Sequence, residues 1–397
     1  LDVRVRLERG RQAQAATAAP QARPGWPDWM RAAGRSLVRV NTQTALLAVA
    51  LGIYLLVRLI ALDAFPIYFF TDEAVQTVRA ADLVRDGLRG GEDELLPTYF
   101  INGGQYNLGV SVYLQVIPYL LFGKSIWVTR GVSVLVSLLG ALAVAGMLKH
   151  SFGSRYAWAG VLLLSITPAW FLHSRTAFET VEATAFYAAF LYCYLRYRGG
   201  QPRALYAAAV MAALAFYTYS PAQMVVALSV VLLALSDARY HWQQRGVVLR
   251  ALGLGLLLLL PYARFYLNHP GENYRHLEIL RSYWLQDIPL GEKLRLYFGE
   301  YLKGLNPLYW FVPNGDDFAR HLMKGYAHLW RPSIPFLALG LGLTLWRIRR
   351  PEYRALLIAL LAAPAGAALV GIGITRALFM GIPAAVITAL GLSAALA

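Results

Sequence analysis

The sequence has 397 residues, of which 58% are hydrophobic and only 15% are charged, and its formal net charge is +15 at pH 7. Soluble domains hold roughly 45–50% apolar and about 25% charged residues, so this composition excludes an ordinary soluble protein. The basic residues cluster in short connectors between apolar blocks, which indicates membrane topology and not a nucleic-acid footprint, and the single Cys193 excludes a disulfide framework.

The first 43 residues carry eight arginines and no apolar run. This predicts a basic, disordered cytoplasmic arm over residues 1–43 and not a cleavable signal peptide. We interpret residues 44–397 as one membrane domain with outer loops at 63–125 and 268–332. The sequence starts without Met and stops inside an apolar block, so we expect it to be a fragment of a longer protein.

Apolar blocks follow the arm along the whole chain, most of them near the ~20 residues that a helix needs to cross a bilayer. The predicted spans are 44–62, 126–148, 156–173, 177–195, 203–219, 221–236, 248–267, 333–347, 355–373 and 377–396. The sequence therefore predicts an all-α polytopic membrane protein with about ten transmembrane helices.

One further apolar segment, 108–122, is short and contains Gln115 and Pro118. If it does not cross the membrane, the arm and four basic connectors all fall on the cytoplasmic side, as the positive-inside rule requires. Those connectors are 149–155, 196–203, 239–250 and 347–354. We therefore interpret 108–122 as an interfacial or re-entrant helix at the outer face.

An acidic pair, Asp72 and Glu73, follows the first span and opens a stretch with apolar residues at helical spacing. We expect a surface helix there, with Thr71 as its N-cap. The helix dipole favours ionised carboxylates at this end, where such a group can act as a general base or hold a divalent cation. The alternative is an ordinary acidic first turn without a chemical role.

Other polar residues gather at the predicted outer ends of the spans, where ionisable groups often mark a site. They include His173, Arg175, Glu179, Glu182, Tyr219 and Arg376. Around Glu179, a structural pair with Arg175 and a role in substrate binding both stay open. Arg376 either snorkels to the outer headgroups or binds a lipid phosphate by bidentate, charge-assisted hydrogen bonds from its guanidinium.

The outer segment 268–332 is rich in Tyr and Trp, which predicts an interfacial belt or stacking platforms for a sugar. Asp316 and Asp317 follow a turn signal at Asn314 and Gly315, and they are interpreted as solvated or as contacts for a cation or hydroxyl. Phosphate-loop, zinc-protease and nucleophile-elbow motifs do not occur in the sequence, so these chemistries lose support.

Four motifs follow one another from the first span to the turn between the fifth and sixth: FFTDEAVQTVRAADLVRDGL, LPTYFINGGQYNLGVSVYLQVIPYLLFGKSIWVTR, TPAWFLHSRTAFETV and FYTYSPAQ. In this order they resemble the C-type glycosyltransferase (GT-C) superfamily over roughly residues 44–397, and most of all its protein O-mannosyltransferase and aminoarabinose-transferase branch. The resemblance implies the GT-C fold and inverting transfer of a sugar from a polyprenyl-phosphate donor to an acceptor. The reaction is expected at the outer face of a bacterial plasma membrane.

The resemblance also implies site residues. Asp72 matches the family's catalytic acid and Glu73 its neighbour, while Glu179 stands at a second acidic position. Arg376 matches an arginine near the donor phosphate, which Arg175 is also expected to contact. His173 and Tyr219 are expected to bind substrate, and the metal requirement stays unknown.

The partners implied are a polyprenyl-phosphate sugar as co-substrate, membrane lipids, and an acceptor that is a protein, a lipid or a glycan. A divalent cation is the one cofactor considered. Two rival functions remain open at this stage. A flippase for a lipid-linked glycan would place ionisable groups near the middle of the bilayer, and a non-catalytic membrane subunit of a larger assembly would retain the fold alone.

Overall fold

The computed structural model describes residues 41–396, and this part of the chain is mostly helical. The predicted arm, 1–43, lies outside the described residues except for its last three. The α-helices are α1 Thr42–Leu59, α2 Thr71–Arg85, α3 Val110–Phe122, α4 Ile126–Gly146, α5 Ala157–Ile166, α6 Pro168–His173, α7 Glu179–Arg198, α8 Ala204–Thr218, α9 Ser220–Ser236, α10 Ala238–Gln243, α11 Arg245–Leu258, α12 Leu260–Asn268, α13 Glu272–Ile279, α14 Leu290–Leu305, α15 Pro307–Phe311, α16 Ile334–Trp346, α17 Pro351–Ala362, α18 Ile374–Ala377 and α19 Gly381–Ala395.

Shorter elements connect these helices. The antiparallel strands β1 (Phe100–Asn102) and β2 (Gln105–Leu108) form a hairpin between α2 and α3. A π-helical turn, Met147–Ser151, extends α4. Single 3-10 turns occupy Gly91–Asp93, Tyr283–Leu285, Ala319–His321, Arg331–Ser333, Ala367–Leu369 and Leu378–Met380.

Each of the ten predicted spans overlaps at least one α-helix, and the second half of the span 355–373 lies beyond α17 in turns and the 3-10 turn Ala367–Leu369. Within residues 41–396, five helical stretches are long and apolar enough to cross a membrane by length and composition. They are Thr42–Leu59, Ile126–Ser151, Arg245–Asn268, Pro351–Leu369 and Ile374–Ala395. The predicted span 156–173 is divided into α5 and α6 at Pro168, which lacks the backbone N–H donor that a continuous helix needs.

The outer surface of the helix bundle is apolar. In α11, Leu249, Leu252 and Leu256 are 65%, 57% and 68% exposed and stand on a helix with only one buried residue. Water would be an unfavourable neighbour for so large an apolar surface, whereas acyl chains cover it without cost. The prediction of an all-α polytopic membrane protein is confirmed.

The centre of the bundle is formed by α7, which is buried on nearly all sides. Elsewhere small residues let helices approach closely, as is common in membrane proteins. A Cβ atom at Gly340 of α16 would lie 1.9 Å from the Ile387 carbonyl oxygen, and one at Gly391 of α19 would lie 1.9 Å from that of Phe336. Glycine is therefore required for the backbone contact between α16 and α19.

Helix α3 packs against the surface helix α2 and the span α4 through a buried polar network. Gln115 of α3 accepts a hydrogen bond from Thr77 of α2 at 3.2 Å and donates one to the Thr129 carbonyl of α4 at 3.1 Å. The 13 residues of α3 make it roughly 20 Å long, against a hydrocarbon core of about 30 Å. Its placement at the outer face without crossing stays a prediction.

The first outer loop departs from the sequence prediction in two details. A helix is present where the surface helix was predicted, but the prediction of Thr71 as its N-cap was wrong: Thr71 is its first helical residue and Phe70 occupies the cap position. There Glu73 accepts a hydrogen bond from the Phe70 N–H at 3.3 Å. The hairpin was not predicted, and its turn at Gly103 and Gly104 uses two positive φ angles, +60° and +80°, that favour glycine.

Candidate functional site

A cavity of about 390 Å³ lies where α7 and α9 begin, next to α13 and to the segment that leads into α18. Three of the predicted site residues line it, namely Glu179, Tyr219 and Arg376. Its other polar lining comes from Gln105, Asn107, Gln223, Tyr262, Asn273 and His276. Apolar side chains such as Leu277 and Leu280 complete the wall, so the cavity suits a polar headgroup attached to an apolar chain.

Arg376 provides the positive charge in this cavity. Its guanidinium is half-buried and donates one long hydrogen bond, 3.5 Å, to the Gly371 carbonyl. In the described part of the chain no carboxylate forms a salt bridge with it. A half-buried cation without a paired carboxylate is suited to bind an anion by charge-assisted hydrogen bonds.

Two predicted acidic site residues, Glu179 and Asp72, differ in their position relative to the cavity. Glu179 is the first residue of α7 and lines the cavity. Asp72 lies outside the lining, in the first turn of α2, where it is half-buried and accepts a hydrogen bond from Asn102 at 3.4 Å. The negative charge of Asp72 also acts on the carboxyl of Glu179.

Glu73, the predicted neighbour of the catalytic acid, is locked in a buried ion pair. Its oxygens accept hydrogen bonds from Arg130 of α4 at 2.8 and 3.0 Å and from the Ala177 N–H at 2.9 Å. Both side chains of the pair are completely buried. Arg130 also donates to the Leu62, Pro66 and Tyr68 carbonyls, so the pair fixes the first outer loop to the bundle.

We expect Glu73→Gln to destabilise the protein strongly. The amide would leave the Arg130 charge buried without its partner, which costs on the order of 3–5 kcal/mol. Thermal unfolding of the purified variant in lipid measures the effect, and Asp72→Asn, a half-buried site, is the matched control with an expected change below about 1 kcal/mol. A Glu73→Gln variant with the wild-type unfolding temperature and no activity would instead assign Glu73 to the chemistry.

Arg175 caps the first span and does not reach the cavity. Its guanidinium donates to the backbone carbonyls of Val57, Arg58, Ile60, Ala61 and Phe65 at 2.6–3.1 Å. These carbonyls lie at and beyond the C-terminus of α1, the end of a helix that a cation stabilises. Among residues 41–396, Arg175 forms this helix cap and no salt bridge with Glu179, and its contact with a donor phosphate stays a prediction.

His173 is buried behind the site. Its Nδ1 lies 2.8 Å from the Ala169 carbonyl, and its ring stacks on His321 with centroids 5.5 Å apart. Burial, together with the nearby His173 and Arg320, lowers the pKa of His321 to about 3, so His321 is neutral at pH 7. The structure thus places His173 against the outer loop and not in the cavity where substrate binding was predicted.

Asp316 and Asp317, interpreted together from the sequence, differ in structure. Asp316 is exposed and pairs with Lys303 at 2.9 Å. Asp317 is buried and accepts hydrogen bonds from Tyr309 at 2.9 Å, from His328 Nε2 at 3.0 Å and from the Ile374 N–H at 2.7 Å. Burial alone would raise the pKa of Asp317, but these hydrogen bonds and the charge of His328 hold it below its ordinary value.

Several residues of the cavity were not singled out by the sequence analysis. Gln105 and Asn107 reach it from the hairpin, and His276 from α13, with His276 Nδ1 2.7 Å from the Gln105 Oε1. The signal for the hairpin is present in the Asn-Gly-Gly turn at residues 102–104. His276 carries no comparable signal, because an isolated histidine in a loop has many ordinary explanations.

The divalent cation considered from the sequence has no complete protein ligand set in this region. Among residues 41–396 there is no group of three or more His, Cys, Asp or Glu side chains that could hold a metal. Asp72 and Glu179 would supply two carboxylates at most, and the remaining ligands would come from substrate and water. A metal requirement stays a prediction.

Comparison with known sequences gives one family match. Residues 110–265, from α3 to α12, match the family model described as dolichyl-phosphate-mannose-protein mannosyltransferase. No curated protein sequence matches the chain.

Solved structures share the fold over most of the chain. ArnT from Cupriavidus metallidurans in the apo state is 16% identical with a TM-score of 0.61, and the match covers 89% of this chain and 60% of ArnT. The structure of the same protein bound to undecaprenyl phosphate is 16% identical with a TM-score of 0.61, and the match covers 88% of this chain and 60% of ArnT. The apo oligosaccharyltransferase of Archaeoglobus fulgidus is 17% identical with a TM-score of 0.58, covering 90% of this chain and 51% of that one.

The chain thus spans 60% or less of the length of these solved proteins. At such low identity the likeness shows the fold. The fold expected from the order of motifs is therefore confirmed, and residues 110–265 are similar to the mannosyltransferase family model.

Proposed function

We propose that this multi-pass membrane protein transfers a sugar from a polyprenyl-phosphate donor to an acceptor, with inversion at the anomeric carbon. The observation that carries the proposal is the unpaired Arg376 facing the same cavity as the carboxylate of Glu179. ArnT has been solved bound to undecaprenyl phosphate, and the Archaeoglobus fulgidus AglB, 14% identical with a TM-score of 0.51, in complex with a dolichol-phosphate and an inhibitory peptide. Lipid phosphates of this class suit the size and charge of the cavity.

The reaction needs a base and a cationic group for the departing phosphate. Asp72 takes the proton of the acceptor hydroxyl, whose oxygen bonds to the anomeric carbon from the face opposite the phosphate. The bond between that carbon and the phosphate oxygen breaks, and its electron pair stays on the phosphate. Arg376 then stabilises the phosphate charge, while Glu179 and Tyr219 line the space for the sugar.

We place the reaction at the outer face of a bacterial plasma membrane. Glu179 begins α7 at the cavity, and Arg196 and Arg198 stand in the last turn of the same helix. A helix of 20 residues is about 30 Å long, so these arginines lie near the opposite surface. Basic connectors favour the cytoplasm, which supports an outer position for the cavity.

The test is transfer of radiolabelled sugar by the purified protein in lipid. A panel of synthetic polyprenyl-phosphate sugars is combined with peptide, lipid and glycan acceptors, and the expected result is a labelled product with at least one pair. An α-linked product from a β-linked donor, or a β-linked product from an α-linked donor, supports inversion. Binding of the donors with no transfer to any acceptor would favour the flippase or the non-catalytic subunit.

A further inference from the structure

The backbone just before Arg376 is held by two carboxylates from the second outer loop. Glu300 of α14 accepts a hydrogen bond from the Ile372 N–H at 2.7 Å. Asp317 accepts one from the Ile374 N–H at 2.7 Å. The two bonds stand on either side of Gly373, two and four residues from Arg376, and neither carboxylate belongs to the span that carries this segment.

Each of the two carboxylates is itself anchored. The other oxygen of Asp317 accepts hydrogen bonds from Tyr309 and His328, and the His328 carbonyl accepts one from the Ala169 N–H of α6 at 3.1 Å. Helix α14, which carries Glu300, donates from Tyr301 to the Leu361 carbonyl of α17 at 2.7 Å. The outer loop is therefore tied to the bundle at both points from which it holds the segment.

The two carboxylate bonds add to other contacts of this segment, in which Ile374 is buried and the Gly373 carbonyl accepts hydrogen bonds from the Arg376 and Ala377 N–H groups. Gly371 has a φ of +115°, which glycine adopts freely, and Gly373 gives the chain further freedom. A Cβ atom at Gly373 would lie 3.3 Å from Asp317 Oδ1 and 3.6 Å from Arg376 Nη1, so the carboxylate and the guanidinium approach the same point. Among residues 41–396, Asp317 accepts hydrogen bonds from Tyr309, His328 and the Ile374 N–H and forms no salt bridge with Arg376.

We propose that Glu300 and Asp317 are positioning residues that clamp the backbone around Gly373 and hold the Arg376 guanidinium in place for the phosphate of the lipid-linked donor. The inference rests on the proposed function. An arginine fixed before the ligand arrives loses less conformational freedom on binding, so the clamp raises affinity without touching the phosphate.

The experiment measures binding of a radiolabelled synthetic polyprenyl phosphate to the purified chain in phosphatidylcholine nanodiscs. Glu300→Ala and Asp317→Ala are each expected to weaken binding about tenfold, as the loss of a hydrogen bond to a charged group allows. Glu300→Gln and Asp317→Asn retain an acceptor oxygen and are expected to stay within about threefold of wild type. Thermal unfolding of every variant identifies any that fail to fold.

Matched controls remove the same charge from the same loop without touching the clamp. Glu292→Ala lies on α14 with Glu300, exposed and paired with Arg295. Asp316→Ala is the exposed neighbour of Asp317. Both are expected to bind like wild type, which separates the clamp from the general charge of the loop.

A double-mutant cycle with Arg376→Ala gives the decisive result. If the clamp acts through Arg376, adding Glu300→Ala or Asp317→Ala to Arg376→Ala causes no further loss of binding. The clamp alone is overturned if Glu300→Ala or Asp317→Ala weakens binding by the same factor in the wild type and in Arg376→Ala. It is also overturned if both clamp variants bind like wild type while Arg376→Ala binds weakly. Wild-type binding by Arg376→Ala itself overturns the proposed phosphate contact, and the clamp with it.

Discussion

Asp72→Asn lowers the rate of sugar transfer by about a thousandfold, within the range expected for loss of a general base. The carboxylate of Asp72 is half-buried in the first turn of α2, where the helix dipole favours its ionised, proton-accepting form. Asparagine has nearly the same shape and can still accept the hydrogen bond from Asn102, so folding and donor binding are expected to persist. Transfer from the donor identified for the wild type, measured at saturating donor and acceptor, gives the rate.

The matched control for Asp72 is another acid on the same helix. Asp82 of α2 is partly exposed and pairs with Arg79 at 3.7 Å and Arg85 at 3.1 Å. Asp82→Asn removes the same charge and is expected to transfer sugar at close to the wild-type rate. Near-wild-type turnover of Asp72→Asn would reject Asp72 as the base and direct attention to Glu179, the acidic residue that lines the cavity.

The spans could be predicted because the signal for a membrane helix is local. A run such as 126–148 carries its length and its lack of charge in consecutive residues, and the structure has α4 there. The hairpin between α2 and α3 was missed because its strands have three and four residues, too short for an alternating pattern to stand out. Its turn at Gly103 and Gly104 was the available signal.

The site was predicted in part because membrane topology brings the outer ends of separate spans to one side. That argument placed Glu179, Tyr219 and Arg376 together, and all three line the cavity. It could not tell which polar groups at that side face each other and which face inward. Arg175 caps α1 through five carbonyls, and Glu73 is paired with Arg130, a residue of the second span that no local pattern connects with it.

Asp317 is a second residue whose environment could not be predicted from the sequence. In the sequence it follows a turn beside Asp316, a pattern typical of solvated acids. In the structure it is buried because Tyr309, His328 and the Ile374 N–H converge on it from three separate parts of the chain. Such contacts between residues distant in sequence cannot be inferred from local periodicity, and they decide whether an acid is solvated or structural.

Arg376→Ala is expected to lower kcat/KM for the lipid-linked donor by about two to three orders of magnitude, the usual cost of removing a group that stabilises charge in the transition state. The guanidinium is the cation of the cavity and has no salt-bridge partner among residues 41–396, so its charge is available to the phosphate. Arg376→Lys keeps the charge but loses the planar pair of donors, and its activity should fall between alanine and wild type. Initial rates against donor concentration give both constants.

Arg275→Ala is the control for Arg376→Ala. Arg275 lies on α13, the helix that supplies His276 to the cavity, but its own side chain is exposed and pairs with Glu272 at 3.5 Å. Its donor constants should match the wild type. If Arg376 only snorkels to headgroups, Arg376→Ala should lose stability in lipid but retain its kcat/KM. If Arg376 binds the phosphate as it leaves, kcat should fall even at saturating donor, since this contact strengthens as the negative charge develops.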